Sequence, residues 1–219
     1  MMKSLITLAA LALALPALGQ TPPPAPTAPV GAAVPEAPPR PAVVRVALVT
    51  DAGPMVLELE TGRAPITAGN FLRYVDQKRL DGISFYRSVG EADYGFIQGG
   101  AQNDPKRLLP PIAHEPTSRT GLTHDDGALS MARYAPGSAT ADFFVVLGKM
   151  TAMDADPAAP GDNQGFAVFG HVVEGMDVVK KIQAAAKSPT EGEGVMRGQM
   201  LATPVKILTA RRVQGTGAP

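Results

Sequence analysis

Apolar and polar residues alternate in two short runs near position 50. The alternation is partial in Val44-Arg45-Val46-Ala47-Leu48-Val49 and regular in Met55-Val56-Leu57-Glu58-Leu59-Glu60. Successive side chains of a strand point to opposite faces, so each run predicts a strand with one buried side. Asp51-Ala52-Gly53-Pro54 between them is turn chemistry and joins the two as a hairpin. The period then changes. Pro65 suits a first helical turn, and Ala68, Phe71, Leu72 and Val75 recur at helical spacing. They predict a helix over 65–77 with one face on a sheet, while Asn70, Arg73 and Gln77 point elsewhere. After Asp81-Gly82 the pattern returns to strands: at Phe85, through Phe96-Ile97-Gln98, over 127–133, over 142–148, over 166–173 and over 204–208. Met176, Val179 and Ile182 mark a second helix over about 176–186. Residues 101–126 and 151–165 read as loops. Many short strands, two helices and no strand–helix rhythm predict a mainly β domain, a closed antiparallel barrel or a sandwich.

The chain ahead of this domain is different. Lys3 precedes an apolar run from Leu5 to Leu18, and Ala17-Leu18-Gly19 is a small-x-small cleavage pattern. This run of fourteen positions is short of the ~20 that span a bilayer. Residues 1–19 therefore predict a cleaved signal peptide, export to the periplasm and no stable membrane insertion after cleavage. Residues 20–42 are a Pro/Ala-rich linker. Nine of the 21 positions over 21–41 are Pro, a composition that favours extended polyproline II and a semi-rigid spacer. The folded domain is expected over 43–214, with a flexible tail over 215–219.

Charge and composition narrow the chemistry. Twenty basic and 20 acidic residues balance, and no basic stripe points to nucleic acid. With no Cys there is no disulfide framework. His114, His124 and His171 are dispersed and lack metal spacing, and read as surface or satisfied core residues. Asp125, Asp126, Asp154 and Asp156 read as solvated loop carboxylates, Met131 and Met150 as core. The informative stretch is Phe85-Tyr86-Arg87 with Gln98 in Phe96-Ile97-Gln98-Gly99-Gly100. Arg offers a planar fork of donors that keeps its charge, and Gln can accept from it. Phe96 and Gln98 share a strand face. With no nucleophile and base beside it, this stretch suits holding a group and donating hydrogen bonds. The bland alternative is a structural Arg on a barrel strand.

Six segments stand in one order: Pro65-Ile66-Thr67-Ala68-Gly69-Asn70-Phe71, Phe85-Tyr86-Arg87, Ile97-Gln98-Gly99-Gly100, Gly127-Ala128-Leu129-Ser130-Met131-Ala132-Arg133, Asp142-Phe143-Phe144 and Ala167 to Met176. In this the chain resembles the cyclophilin-type peptidyl-prolyl isomerases over about 43–212. The resemblance implies a closed eight-stranded antiparallel barrel capped by two helices. It implies Arg87 and Gln98 as catalytic residues, Ala132 and Arg133 on the substrate backbone, and Phe144 in the proline pocket with Phe96 and Phe166. It puts Asp142 next to Arg87, where a carboxylate could hold the guanidinium bidentately.

There are departures. Asp142 stands where the family commonly has Gln, Arg133 where it has Asn, and Gly161 where many members have a pocket Trp. The spacing from Arg87 to Gln98 is longer than usual. The implied partners are unfolded or flexible polypeptides with X-Pro bonds, with no nucleic acid and no cofactor, and a monomer is expected. Two functions follow: an isomerase aiding the folding of exported proteins, or a catalytically weak module that binds Pro-containing segments. A protease-coupled assay of X-Pro isomerisation separates them.

Overall fold

The alternation near position 50 closes into a hairpin in the computed structural model, which describes residues 43–213. The signal peptide, the linker and the tail expected at the ends lie outside the described residues. Strand β1 (Val44–Thr50) pairs antiparallel with β2 (Gly53–Leu59), from Val44 opposite Leu59 to Thr50 opposite Gly53. Val46, Leu48, Met55, Leu57 and Leu59 fill its inner face. Thr50 closes the turn, its hydroxyl donating to the Gly53 carbonyl at 2.7 Å and accepting from the Ala52 amide at 3.1 Å.

Helix α1 (Pro65–Asp76) begins on its proline and buries Ala68, Phe71, Leu72 and Val75. Asn70 is buried too, contrary to its polar reading. Its Nδ2 donates to the Thr140 carbonyl at 2.7 Å, and its Oδ1 accepts from Arg73 at 2.9 Å. A buried amide with both ends satisfied costs little, and periodicity alone does not reveal it.

The remaining elements are β3 (Ser84–Glu91), β4 (Tyr94–Gly100), the one-turn helix α2 (Thr117–Thr120), β5 (Ala128–Met131), β6 (Phe143–Leu147), β7 (Ala167–Glu174), α3 (Met176–Gln183) and β8 (Met200–Arg212). Two 3-10 turns lie at Thr151–Met153 and Gly194–Met196. The short α2 sits in a stretch read as loop; the other two helices are those expected. The strands close in the order β1-β2-β7-β5-β6-β4-β3-β8, every pairing antiparallel, so the fold is a barrel and not a sandwich.

Strand β8 is 13 residues long, well beyond the expected 204–208. Its first half pairs with β3 and its second with β1. Because its two halves face different neighbours, its burial does not alternate, and its ends carry no period-2 signal. The barrel is filled, with Phe71, Phe85, Phe143 and Phe169 inside. Phe143 meets Phe71 and Phe85 edge-on, centroids 5.2 and 5.6 Å apart. α1 packs on β7 and β8, and α3 on β2, β3 and β4.

Candidate active site

Residues 85 and 87 of an ordinary strand would share a face, yet Phe85 is in the barrel core and Arg87 is outside it. A bulge explains this. In the β3–β4 ladder Phe85 stands opposite Gly99 and Arg87 opposite Gln98, leaving Tyr86 as an extra residue. Such a bulge re-aims the side chains that follow it. Across β4, Gly99 pairs with Phe143, which faces the barrel interior, and Gln98 pairs with Phe144, which is buried too but on the opposite face of the strand. Arg87, Gln98 and Phe144 therefore share the outer face.

Arg87 is held on two sides. Its Nη1 donates to Oε1 of Gln98 at 2.9 Å. Its Nε and Nη2 both donate to Oε1 of Gln199, at 2.9 and 2.5 Å. One N–H on each terminal nitrogen then has no partner among the described residues. The guanidinium also lies over the Phe96 ring, 5.3 Å from its centroid. Burial lowers its pKa below the ordinary guanidinium value, against a favourable influence of Tyr86, but a guanidinium keeps its proton in a protein.

Behind Gln98 runs a directed chain of hydrogen bonds. Gln98 Nε2 donates to the Tyr86 hydroxyl at 2.7 Å, and that hydroxyl donates to Oδ2 of Asp142 at 2.9 Å. Oδ1 of Asp142 accepts from the Gln102 amide at 3.1 Å. Burial raises the Asp142 carboxyl above its usual range, although these donors oppose the shift. Burial and then the neighbouring carboxylate push the Tyr86 phenol strongly up. The expected Arg87–Asp142 pair is absent, since the carboxylate is taken by Tyr86 and Gln102, and an amide, Gln199, occupies the orienting place.

The aromatic residues form a row. Phe144 lies 5.3 Å from Phe96 and 5.5 Å from Phe166, centroid to centroid. Arg133 closes the far end, its guanidinium 5.2 Å from the Phe166 centroid. All five N–H groups of Arg133 are spent: on the Gly165 carbonyl (2.8 and 2.5 Å), both Asp162 oxygens (2.8 and 2.9 Å) and the Tyr134 carbonyl (3.0 Å). Its side chain thus fastens the 151–165 loop and has no donor left for a peptide, which leaves only the main chain of Arg133 for the substrate contact expected of it. The Arg133 guanidinium holds the Asp162 carboxyl down to about 2. The neighbouring Ala132 donates its amide to the Asp142 carbonyl at 2.9 Å.

Under the row lies a buried polar set. His124 is fully buried and stacks on Phe144 at 5.9 Å. Its Nδ1 lies 2.6 Å from Oδ1 of Asp154 and its Nε2 2.9 Å from the Ser130 hydroxyl. The atom order is that of a hydrolytic triad, but Ser130 and His124 are both sealed from solvent. The set is structural: Asp154 also accepts the His124 amide at 3.0 Å and anchors its loop. Of the two readings expected, surface or satisfied core, His124 takes the second, whereas Asp154 is no free solvated carboxylate.

Two residues of the cluster escape sequence reading. Gln199 lies 112 positions from Arg87, in a segment without period. Tyr86 stood in plain view, and the clue was that a buried Tyr hydroxyl requires a partner.

The family model described as cyclophilin type peptidyl-prolyl cis-trans isomerase matches residues 45–211. A peptidyl-prolyl cis-trans isomerase of Streptomyces antibioticus is 38% identical over 151 residues, which are 67% of this chain and 87% of that protein. One from Acinetobacter baylyi is 35% identical over 170 residues, 76% of this chain and 84% of its own. The crystal structure of a cyclophilin type peptidyl-prolyl cis-trans isomerase from Cryptosporidium parvum overlays with a TM-score of 0.61 at 17% identity, covering 79% of this chain and 99% of that one. At that identity the overlay speaks for the fold alone.

Proposed function

The chain belongs to the cyclophilin-type peptidyl-prolyl cis-trans isomerases, and we propose that it turns X-Pro bonds at Arg87 in polypeptides that fold after export. The observation that carries this reading is the guanidinium itself, clamped by Gln98 and Gln199 with two N–H groups left over.

Rotation about an X-Pro bond meets a barrier of about 18–20 kcal/mol, although the isomers differ by only about 0.5–1 kcal/mol. The barrier is amide resonance. In the twisted state the prolyl nitrogen becomes pyramidal and gains a lone pair. A fixed donor aimed at that nitrogen favours the twisted state over either planar one, which is what acceleration requires. Each ~1.4 kcal/mol of that difference is worth tenfold in rate. The free N–H groups of Arg87 are the donors available. Phe144, flanked by Phe96 and Phe166, offers an apolar bed for the pyrrolidine ring. The carbonyl of Ala132 can take a peptide N–H beside it. This chemistry moves no proton and calls for no cofactor.

Export is supported by the charged start, apolar run and Ala17-Leu18-Gly19 of the sequence. The closed barrel leaves no sheet edge open for another copy, which favours a monomer. The test of the isomerase reading is a protease-coupled assay with an X-Pro tetrapeptide. Wild-type protein should accelerate isomerisation, and a rate equal to the uncatalysed one refutes the reading. Intact mass after periplasmic extraction should give an N-terminus at or near Gln20; a full-length mass in that fraction refutes export.

A further inference from the structure

The amide of Gln98 can face Arg87 with either end, and only one end is useful. With Oε1 toward Nη1 it accepts and steadies the guanidinium, as observed. With Nε2 there, two donors would confront each other and the arginine would be released. The two ends are nearly equal in shape, so something polar must decide between them.

We infer that Asp142, acting through Tyr86, dictates which end of the Gln98 amide faces Arg87, so that Tyr86 and Asp142 are positioning residues of the catalytic guanidinium. An ionised carboxylate can only accept. Tyr86 must therefore spend its one proton on Oδ2 of Asp142, at 2.9 Å. That leaves the phenol only lone pairs for Gln98, and Gln98 must turn its Nε2 to them, at 2.7 Å. Its Oε1 then points to Arg87 by necessity. The polarity set at Asp142 is thus transmitted over three hydrogen bonds.

The parts are built to hold that polarity. Tyr86 and Gln98 are 6% and 9% exposed, so water competes little for the phenol or the amide. Asp142 has its second oxygen fixed by the Gln102 amide. Gly100 supplies the room for it, because a β-carbon there would run into the Asp142 carboxylate and its Cα. The bulge at Tyr86 is what brings Arg87 to the same side of the strand as Tyr86, so that both meet Gln98.

The inference rests on the isomerase reading, and its test separates the two. Kinetics of X-Pro isomerisation would be measured for wild type, Tyr86→Phe, Asp142→Asn, Gln98→Ala and Tyr86→Phe/Gln98→Ala, with thermal melts for each. The side-chain 15N–1H resonances of Gln98 would be followed in parallel, which needs no activity. Tyr86→Phe should lower kcat about tenfold, the worth of about one hydrogen bond, with KM within about twofold. It should cost nothing further in the Gln98→Ala background, because it acts through Gln98. Asp142→Asn should lower kcat in the same sense, since its amide can turn a donor to Tyr86 and reverse the chain. Both single variants should move the Gln98 resonances. Wild-type kcat in either single variant, a Tyr86→Phe loss undiminished in the Gln98→Ala background, or unmoved Gln98 resonances overturns the inference. Absence of catalysis by wild type strikes the isomerase reading instead, and the resonances still decide this one.

Discussion

The carboxylate of Asp142 occupies the space that a side chain on Gly100 would need. Gly100 also has φ of +151°, which L side chains rarely adopt. Gly100→Ala should therefore cost on the order of 1–3 kcal/mol in backbone strain alone. In a domain of this size each kcal/mol lowers Tm by roughly 2–4 °C, so calorimetry should show a fall of several degrees. Activity should fall with it, as the carboxylate is driven off Tyr86. An unchanged Tm would mean that the loop after Gly100 yields freely.

Arg87→Ala should lower kcat/KM on the order of 10²-fold or more, as when one preorganised donor is removed. Arg87 is itself only half-buried and lies outside the barrel core, so the melting curve should move little. Arg87→Lys should recover only part of the rate, because an ammonium cannot engage both Gln98 and Gln199 in one plane and still present two free donors. A protease-coupled assay reads both variants. Wild-type activity in the Ala variant removes Arg87 from the mechanism.

Gln199→Ala removes the acceptor of two of the three internal bonds of Arg87. The guanidinium should swing about its remaining bond to Gln98. The expected result is a fall in kcat of about tenfold, with KM little changed because the aromatic row is untouched. A KM effect with intact kcat would place Gln199 on the substrate and not on Arg87.

His124 gives the fold a pH dependence of known sign. Burial outweighs Asp154 and depresses the pKa of the folded state below the ordinary 6.5. Below 6.5 the unfolded chain binds a proton that the folded chain refuses, so stability is full above that pH and falls on acidification, levelling off beneath the depressed value. The slope is at most about 1.4 kcal/mol per pH unit for one group. Urea midpoints between pH 7 and 5 should decline for wild type and be flatter for His124→Gln. Equal slopes would assign the effect elsewhere.

What could be read in advance was what repeats. Strands β1 and β2 and helix α1 announce themselves by period, because each has one buried face, and β6 and most of β7, buried on both faces, announce themselves as apolar runs. The Arg87–Gln98 pair was legible because both residues lie on adjacent strands 11 positions apart. Three things were not. Strand β8 serves two neighbours and so has no single face. Gln199 is brought to Arg87 only by closure of the barrel. Asp142 was placed against Arg87 by analogy with an amide, but a carboxylate in that place is drawn to the nearer hydroxyl of Tyr86 and to backbone N–H groups.

Strand β8 is made last and is the seam, bonded to β3 on one side and β1 on the other. Gln199 sits immediately before it. Without these residues β1 and β3 would each carry an open edge, and Arg87 would keep only its bond to Gln98. The same stretch of chain thus both locks the barrel and tightens the grip on the catalytic guanidinium, so whatever loosens the seam loosens the site with it.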